Sequence, residues 1–231
     1  MSSPAQKSAV SEKRVALVAG SSGFVGRALL RVLLDAPEVG RVYALSRRPL
    51  SVEHPRLANR ILPLETVETA LRGLAVHDAY CCLGSTRAAA GSDAERRCVD
   101  VDLVLTFARA ALACGAQRLI VLSSAGARPD SRYPYLAAKA AMEAGLRQLK
   151  FPALDILQPG LLRGWRGEIR PLELLGGLLC PLVNPLLRGR HAIWRGIPAA
   201  DVARAMHAAS RSRRRGVYVY AGESLRALAN Q

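Results

Sequence analysis

Aromatic residues, paired cysteines and long apolar runs are all scarce in this sequence. Aromatic side chains make up 5% of the 231 residues, although half of the chain is apolar, enough for the core of one sizeable domain. The five cysteines are an odd number without regular spacing, and the four histidines are scattered, which argues against a disulfide framework and against a metal site. No run of about eighteen uncharged apolar residues occurs, so no membrane-spanning helix is predicted.

Acidic residues are also few: 18 stand against 33 Lys and Arg, for a formal net charge of +15. This excess is compatible with an anionic partner, such as nucleic acid, a membrane surface or a phosphorylated ligand, or with an arginine-rich solvated surface. The basic residues are mostly dispersed, and the densest run, 211–215, is short, which favours the solvated surface. Nucleic acid binding would also call for exposed aromatics that stack on bases. We therefore expect a small-molecule substrate and no nucleic acid.

The N-terminal residues 1–13 are small and polar with a few charges, which predicts a flexible tail. They lack the apolar centre of a secretory signal. Together with the missing spanning helix, this predicts a cytoplasmic protein, either a monomer or a homodimer.

From residue 14 onward, apolar strand patterns alternate with helical spacing. Strands are predicted at 14–19, 41–46, 60–65, 78–83, 118–123, 153–158 and 217–221, with helices at 23–34, 93–114, 135–149, 198–210 and in the last residues. Gly115 is the expected C-terminal cap of the long central helix. Alternation of this kind predicts an α/β fold with a doubly wound parallel sheet and helices on both faces.

After Gly160 the alternation weakens, which predicts a small substrate-side lobe over about residues 161–231 within a single domain of residues 14–231. Its apolar stretch, 171–187, is broken by Pro and Gly and is expected to form a pocket wall or a subunit contact in preference to a membrane contact. Trp165 and Trp194 flank this stretch, where they either cover a substrate pocket or pack within the lobe.

A glycine-rich turn, Gly20-Ser21-Ser22-Gly23-Phe24-Val25-Gly26, links the first predicted strand to the first helix. In a phosphate-binding turn, the first glycine allows a tight bend, the second lets the backbone approach the phosphates and the third lets helix and strand pack closely. The helix N-terminus offers free N–H groups and a partial positive charge, and the two serines add hydroxyl donors. The turn therefore predicts a dinucleotide site.

The end of the second predicted strand distinguishes the two nicotinamide cofactors. Proteins that bind NAD usually place an acidic residue there for the ribose hydroxyls. This chain instead has Arg47 and Arg48 and no nearby acid. Two guanidinium groups suit a 2′-phosphate, so the predicted cofactor is NADP(H).

Tyr135 and Lys139 are four residues apart, which places them on one helix face. A nearby ammonium group stabilises the phenolate form of a tyrosine and prepares it for proton transfer. Ser123 and Ser124 end the fifth predicted strand, at the edge where ligands bind in parallel sheets. A serine there could hold a substrate oxygen beside Tyr135.

These motifs resemble the atypical short-chain dehydrogenase/reductase group around the Tat-interacting oxidoreductase and its bacterial relatives, within the NAD(P)-binding Rossmann superfamily. The resemblance covers nearly the whole chain. It rests on the glycine turn and on the segments 78–87, 122–124, 135–139 and 158–162.

The resemblance implies a role for each matching residue. Ser124, Tyr135 and Lys139 would be catalytic, and Lys139 would also bind the nicotinamide ribose. The cofactor would contact Gly20, Ser22, Gly23, Phe24, Val25, Arg47, Arg48, Leu83, Gly84, Thr86, Ser123, Pro159, Gly160 and Leu161.

The chain departs from the family pattern in two places. Asp100 stands where the family has a helix asparagine, and this carboxylate and Asp102 are expected to be capping or solvated charges. The C-terminal lobe is also short for a nucleotide-sugar substrate.

The predicted function is that of an NADP(H)-dependent oxidoreductase acting on a small carbonyl or alcohol. The alternatives are an NADP(H)-binding sensor or scaffold that acts through partners or a membrane surface, and an enzyme similar to nucleotide-sugar epimerases.

Overall fold

The computed structural model describes residues 13–84, 97–163 and 193–231, and its main feature is a seven-stranded parallel sheet. The strand order is β3-β2-β1-β4-β5-β6-β9, the order typical of a doubly wound Rossmann sheet with one further strand. The strands are β1 (Arg14–Ala19), β2 (Val39–Ser46), β3 (Leu57–Ile61), β4 (Asp78–Cys81), β5 (Arg118–Leu122), β6 (Ala153–Gln158) and β9 (Gly216–Ala221), while β7 (Leu162–Arg163) and β8 (Ile197–Pro198) pair separately. The predicted fold class is confirmed.

Helices cover both faces of the sheet. They are α1 (Phe24–Asp35), α2 (Val67–Ala70), α3 (Leu103–Ala113), α4 (Pro134–Gln148), α5 (Ala199–Arg211) and α6 (Gly222–Ala229), and a π-helical turn (Cys98–Asp102) leads into α3. One apolar core lies under α1, α5 and α6, and a second lies under α2, α3 and α4. Burial of both layers is the main driving force that holds the helices on the sheet.

Two element boundaries predicted from the sequence have different outcomes in the structure. The third strand is predicted at 60–65, but β3 is Leu57–Ile61 and pairs with β2, so this prediction is wrong beyond residue 61. Pro63 lies within the predicted range and has no N–H to donate, and a short helical turn begins at Leu64 instead. The cap at Gly115 is confirmed: its φ is +83°, and Ala116 N donates to Ala111 O.

The described part of the predicted C-terminal lobe contributes to the main sheet. β9 pairs with β6 along its whole length, and α5 packs against α1. Beneath this region the buried Arg118 guanidinium pairs with the carboxylate of Asp155 and donates to the backbone oxygens of Ser212 and Arg214. Tyr220 donates to Asp155 at 3.2 Å. Burial raises the pKa of Asp155, and Arg118 opposes that rise.

Several sequence predictions lie outside the described residues, namely the tail up to residue 12, Thr86, the start of the central helix before residue 97, Trp165 and the apolar stretch 171–187. Within the described ranges, no helix combines the length and the apolar character needed to cross a membrane.

Candidate functional site

All predicted site residues that the structure describes lie at one edge of the sheet. Because β1, β2, β4, β5 and β6 are parallel, the segments that follow them emerge together at their carboxyl ends. These segments carry the glycine turn, the two arginines, Leu83 and Gly84, the two serines, and Pro159 to Leu161. This edge is where parallel α/β sheets bind ligands.

The glycine turn has the close packing that its spacing predicts. Gly20 has a φ of +75°, and a Cβ placed on it would lie 2.6 Å from the carbonyl carbon of Cys82. A Cβ on Gly26 would lie 2.0 Å from Gly20 O. Gly23 is exposed at the N-terminus of α1, and its N–H donates to Gly20 O. The turn therefore requires glycine for backbone contact and leaves the helix N-terminus open to an anion.

The two serines of the turn have different environments. Ser21 is buried and donates its hydroxyl hydrogen to Leu45 O at 2.8 Å, which ties the turn to the end of β2. The prediction that Ser21 offers its hydroxyl to a phosphate is therefore wrong. Ser22 is exposed, Phe24 is half-buried, and Val25 is part of the core under α1.

Arg47 and Arg48 follow β2 directly, and both side chains are exposed. Their backbone is held in place because Ser46 donates to Arg48 O at 2.7 Å and Asn59 donates to Ser46 Oγ. A fixed backbone with exposed guanidinium groups suits the binding of an anion at the end of β2.

Lys139 is buried in α4 and pairs with Asp100, its Nζ lying 2.9 Å from Oδ1 of the carboxylate. The expectation that Asp100 is a capping or solvated charge is wrong, since its side chain has no exposed surface. Gly84 lies beside this pair: a Cβ on Gly84 would be 3.5 Å from both Asp100 Oδ1 and Lys139 Nζ. The ion pair thus lies next to the segment after β4 where the nicotinamide ribose is predicted.

Tyr135 and Lys139 occupy one face of α4, as their spacing predicts. Lys139 Nζ lies 5.8 Å from the centroid of the Tyr135 ring, and Tyr135 is half-buried. Ser124 is half-buried in the turn after β5, which is closed by Ala127 N donating to Ser124 O. All three proposed catalytic residues thus belong to elements beside the same edge.

Ser123 is buried and donates its hydroxyl hydrogen to Glu143, a buried carboxylate on α4. The side-chain amide of Gln158 donates to the same carboxylate at 2.8 Å. Sequence reasoning missed this cluster, although Tyr135, Lys139 and Glu143 recur every four residues, a spacing that places them on one helix face. Glu143 fixes the ends of β5 and β6 relative to α4.

Pro159, Gly160 and Leu161 follow β6 and stay aligned with the segment after β5, because Ala125 N donates to Pro159 O at 2.9 Å. Pro159 is buried and Leu161 is 52% exposed. These three residues therefore lie on the same side as Ser124.

Cysteine and metal chemistry have little support in this region. Burial raises the pKa of Cys81 to about 11, so its thiol stays protonated at neutral pH. Among the residues that the structure describes, no group of three or more His, Cys, Asp and Glu could hold a metal ion. The edge thus combines a glycine cradle at a helix N-terminus, two exposed guanidinium groups and a tyrosine-lysine pair, which together fit a nicotinamide dinucleotide.

Comparison with known proteins identifies similar sequences in fungi and mammals. The protein FMP52, mitochondrial, of Coccidioides immitis is 32% identical over 227 residues, which cover 93% of this chain and 92% of that protein. Rat HTATIP2 is 35% identical over 168 residues, or 71% of this chain and 69% of the relative. The predicted resemblance to the Tat-interacting group is confirmed.

The predicted cytoplasmic location is contradicted by these relatives. The similar proteins of Coccidioides immitis, Saccharomyces cerevisiae and Emericella nidulans are all named mitochondrial. The absence of a secretory signal and of a predicted membrane-spanning helix does not distinguish the cytoplasm from an organelle.

Solved structures share the fold at low sequence identity. MoeE5, in complex with UDP-glucose and NAD, superposes with a TM-score of 0.68 at 18% identity, covering 93% of this chain and 80% of that chain. The UDP-glucose 4-epimerase of Thermotoga maritima, with UDP-glucose, also gives 0.68, at 15% identity, covering 90% and 76% of the two chains.

A sequence model of a known family matches residues 16–150, the segment that carries the glycine turn, the ion pair of Asp100 with Lys139, and Tyr135. This match spans more than half of the chain and agrees with the nicotinamide-dinucleotide type of site at the sheet edge. The chain belongs to the NAD dependent epimerase/dehydratase family.

Proposed function

We propose that this protein is an NADP(H)-dependent oxidoreductase that interconverts a small carbonyl compound and its alcohol. The observation that carries the proposal is the placement of Tyr135 and Lys139 on one face of α4, beside the edge that holds the glycine turn. A binding site alone would not require a tyrosine next to a buried ammonium group.

The residues at the carboxyl ends of the parallel strands would hold the cofactor. Gly20, Ser22, Gly23, Phe24 and Val25 would hold the pyrophosphate and adenosine at the start of α1. Arg47 and Arg48, both exposed, would pair with the 2′-phosphate. Leu83 and Gly84 would lie over the ribose and the nicotinamide, and Pro159, Gly160 and Leu161 would contact the carboxamide. Ser123 would face the cofactor with its backbone, because its hydroxyl donates to Glu143. Thr86 is assigned by the resemblance alone.

The bound cofactor would supply the hydride that reduces the carbonyl carbon. Tyr135 donates its phenolic proton to the carbonyl oxygen, which completes the alcohol, and then regains a proton from solvent. Lys139 stabilises the phenolate that forms for that interval. Ser124 donates a hydrogen bond that orients the substrate oxygen toward Tyr135. Alcohol oxidation reverses each transfer.

The test is NADPH oxidation over a panel of aldehydes and ketones with Tyr135→Phe and, as the matched control, Tyr133→Phe. Tyr133 is 66% exposed and lies just before α4. General acid catalysis contributes a factor of roughly 10² to 10⁴, so Tyr135→Phe should lose at least about 100-fold in turnover. Tyr133→Phe should stay within about twofold of wild type.

A thermal-shift titration with NADPH separates catalysis from binding, since a bound ligand stabilises the native state. Tyr135→Phe should keep the full shift. Undiminished turnover in Tyr135→Phe would remove the proposed role of Tyr135. Binding of NADPH without turnover on any carbonyl would favour a sensor or scaffold.

A nucleotide-sugar epimerase is a second candidate, favoured by the family match and by neighbours solved with UDP-glucose. This function requires a pocket that holds a sugar nucleotide beside the nicotinamide. Incubation with UDP-glucose and NAD⁺, followed by chromatography for the 4-epimer, tests it directly. Appearance of the 4-epimer would replace the carbonyl assignment.

A further inference from the structure

Residues 193–195, which include Trp194, lie in direct contact with Gly160 at the carboxyl end of β6. A Cβ placed on Gly160 would lie 2.7 Å from the carbonyl oxygens of both Ile193 and Arg195. Only a residue without a side chain allows this approach. Gly160 therefore sets how closely residues 193–195 lie against the end of β6.

Hydrogen bonds fix the same segment from its C-terminal side. Ile197 N donates to Leu161 O at 2.8 Å, and Arg226 donates from α6 to Gly196 O at 3.1 Å. The backbone around Trp194 is thus held to β6 and to α6, which gives the indole a defined position at the edge.

The indole of Trp194 lies against the turn that contains Ser124. A Cβ on Gly126 would be 2.5 Å from Cη2 of Trp194 and 3.6 Å from a methyl carbon of Leu136. Gly126 is two residues after Ser124, and Leu136 directly follows Tyr135. Trp194 is therefore next to both segments that carry the proposed catalytic hydroxyl groups.

Despite these contacts, Trp194 remains 43% exposed. Tryptophans that serve only in core packing are more deeply buried on average. An indole that keeps this much exposed surface at a ligand-binding edge is suited to line a pocket, since such pockets are lined mainly by apolar and aromatic side chains.

We propose that Trp194 forms one wall of the substrate site and gives it a preference for carbonyl compounds that carry an aromatic ring. The reaction rests on the function proposed above, whereas the binding of the ring does not. Planar rings associate with indole in offset-stacked or edge-to-face arrangements, and Leu136 extends the apolar surface beside the indole.

Kinetic measurements on Trp194→Ala and Trp194→Phe test the preference, with benzaldehyde and propanal as substrates. In Trp194→Ala, kcat/KM for benzaldehyde should fall at least tenfold more than kcat/KM for propanal. Trp194→Phe keeps a ring and should retain most of the preference for benzaldehyde over propanal. An unchanged NADPH-induced thermal shift in both variants shows that they fold and bind cofactor. Equal losses for the two substrates, or no loss, would overturn the proposal.

A binding measurement tests the wall without turnover. The sequence contains two tryptophans. In the double variant Trp165→Phe/Tyr135→Phe, Trp194 is the one that remains. With NADP⁺ present, titration with benzyl alcohol should change the fluorescence emission of Trp194 until it saturates, and titration with propanol should leave it unchanged. An unchanged emission in the double variant would refute the wall, even if the wild-type protein reduces carbonyl compounds. A saturable change in the double variant, together with no carbonyl reductase activity in the wild-type protein, would support the wall and refute the proposed reaction.

Discussion

Lys139 and Asp100 form an ion pair closed off from solvent, with 2.9 Å between Nζ and Oδ1. The two residues belong to different elements, α4 and the π-helical turn before α3, so the pair joins two helices beneath Gly84. Removing one partner of a buried pair leaves a charge without its counter-charge, which is far more costly than losing an exposed pair.

Asp100→Ala should lower the free energy of unfolding by about 3–5 kcal/mol, the range for a broken buried ion pair. Asp100→Asn retains the size and one oxygen and should cost less. Asp102→Ala, on the exposed side of the same turn, is the control and should stay within about 0.5 kcal/mol of wild type. Urea denaturation measures all three. Equal stabilities for the two alanine variants would show that the pair contributes nothing.

Replacing Arg47 and Arg48 together with Ala should weaken NADPH binding and leave NADH binding nearly unchanged. A hydrogen bond to a charged group contributes about 1.5–3 kcal/mol, so the loss for NADPH is expected to be at least about tenfold. Thermal-shift titrations with both cofactors measure the difference. Arg31→Ala, an exposed arginine on α1, should change neither. If NADH stabilises the wild-type protein as well as NADPH does, the 2′-phosphate assignment fails.

Gly26→Ala should destabilise the protein and abolish cofactor binding. The added methyl would lie 2.0 Å from Gly20 O, so α1 must move away from the turn. Overpacking of this kind costs about 1–3 kcal/mol. Gly145→Ala is the matched helical control because the three atoms nearest to its methyl all belong to the Leu105 side chain, which can adjust. Retention of the full NADPH-induced thermal shift in Gly26→Ala would contradict the packing argument.

His207 should make the protein less stable in mild acid. Burial lowers its pKa, Arg211 acts in the same direction, and Glu38, 3.2 Å away, opposes both. The unfolded chain therefore takes up a proton first as the pH falls below about 6.5, and stability is lost from there down to the lower pKa of the folded state. His207→Gln should reduce the fall in Tm between pH 7 and pH 5. A fall of the same size in His207→Gln and wild type would rule out this group.

The sequence predicted the fold class and the glycine turn because both depend on local spacing. Gly20, Gly23 and Gly26 lie within one turn and one helix start, so their packing follows from the chain itself. β3 was misplaced because an edge strand such as Leu57–Ile61 is only partly buried and carries a weak apolar signal.

Contacts between residues distant in the chain were not predictable in this way. The partner of Asp100 lies in a different helix, and Ser123 reaches Glu143 only after β5 and α4 have packed together. The position of Trp194 depends on glycines at 126 and 160, which have no spacing relation to it. Such pairings are set by the tertiary fold: the four-residue spacing places Lys139 and Glu143 on one face of α4 but does not identify their partners.

The cluster of Arg118, Asp155 and Tyr220 links the segment that matches the family to strands that lie outside the match. The family match ends at residue 150, before β6 and β9. A fragment cut there would leave the hydrogen-bonding edge of β5 open and would strip Arg118 of its carboxylate partner. We therefore expect that residues 16–150 do not fold on their own. Domain swaps or fusions made from this protein should include β6 and β9.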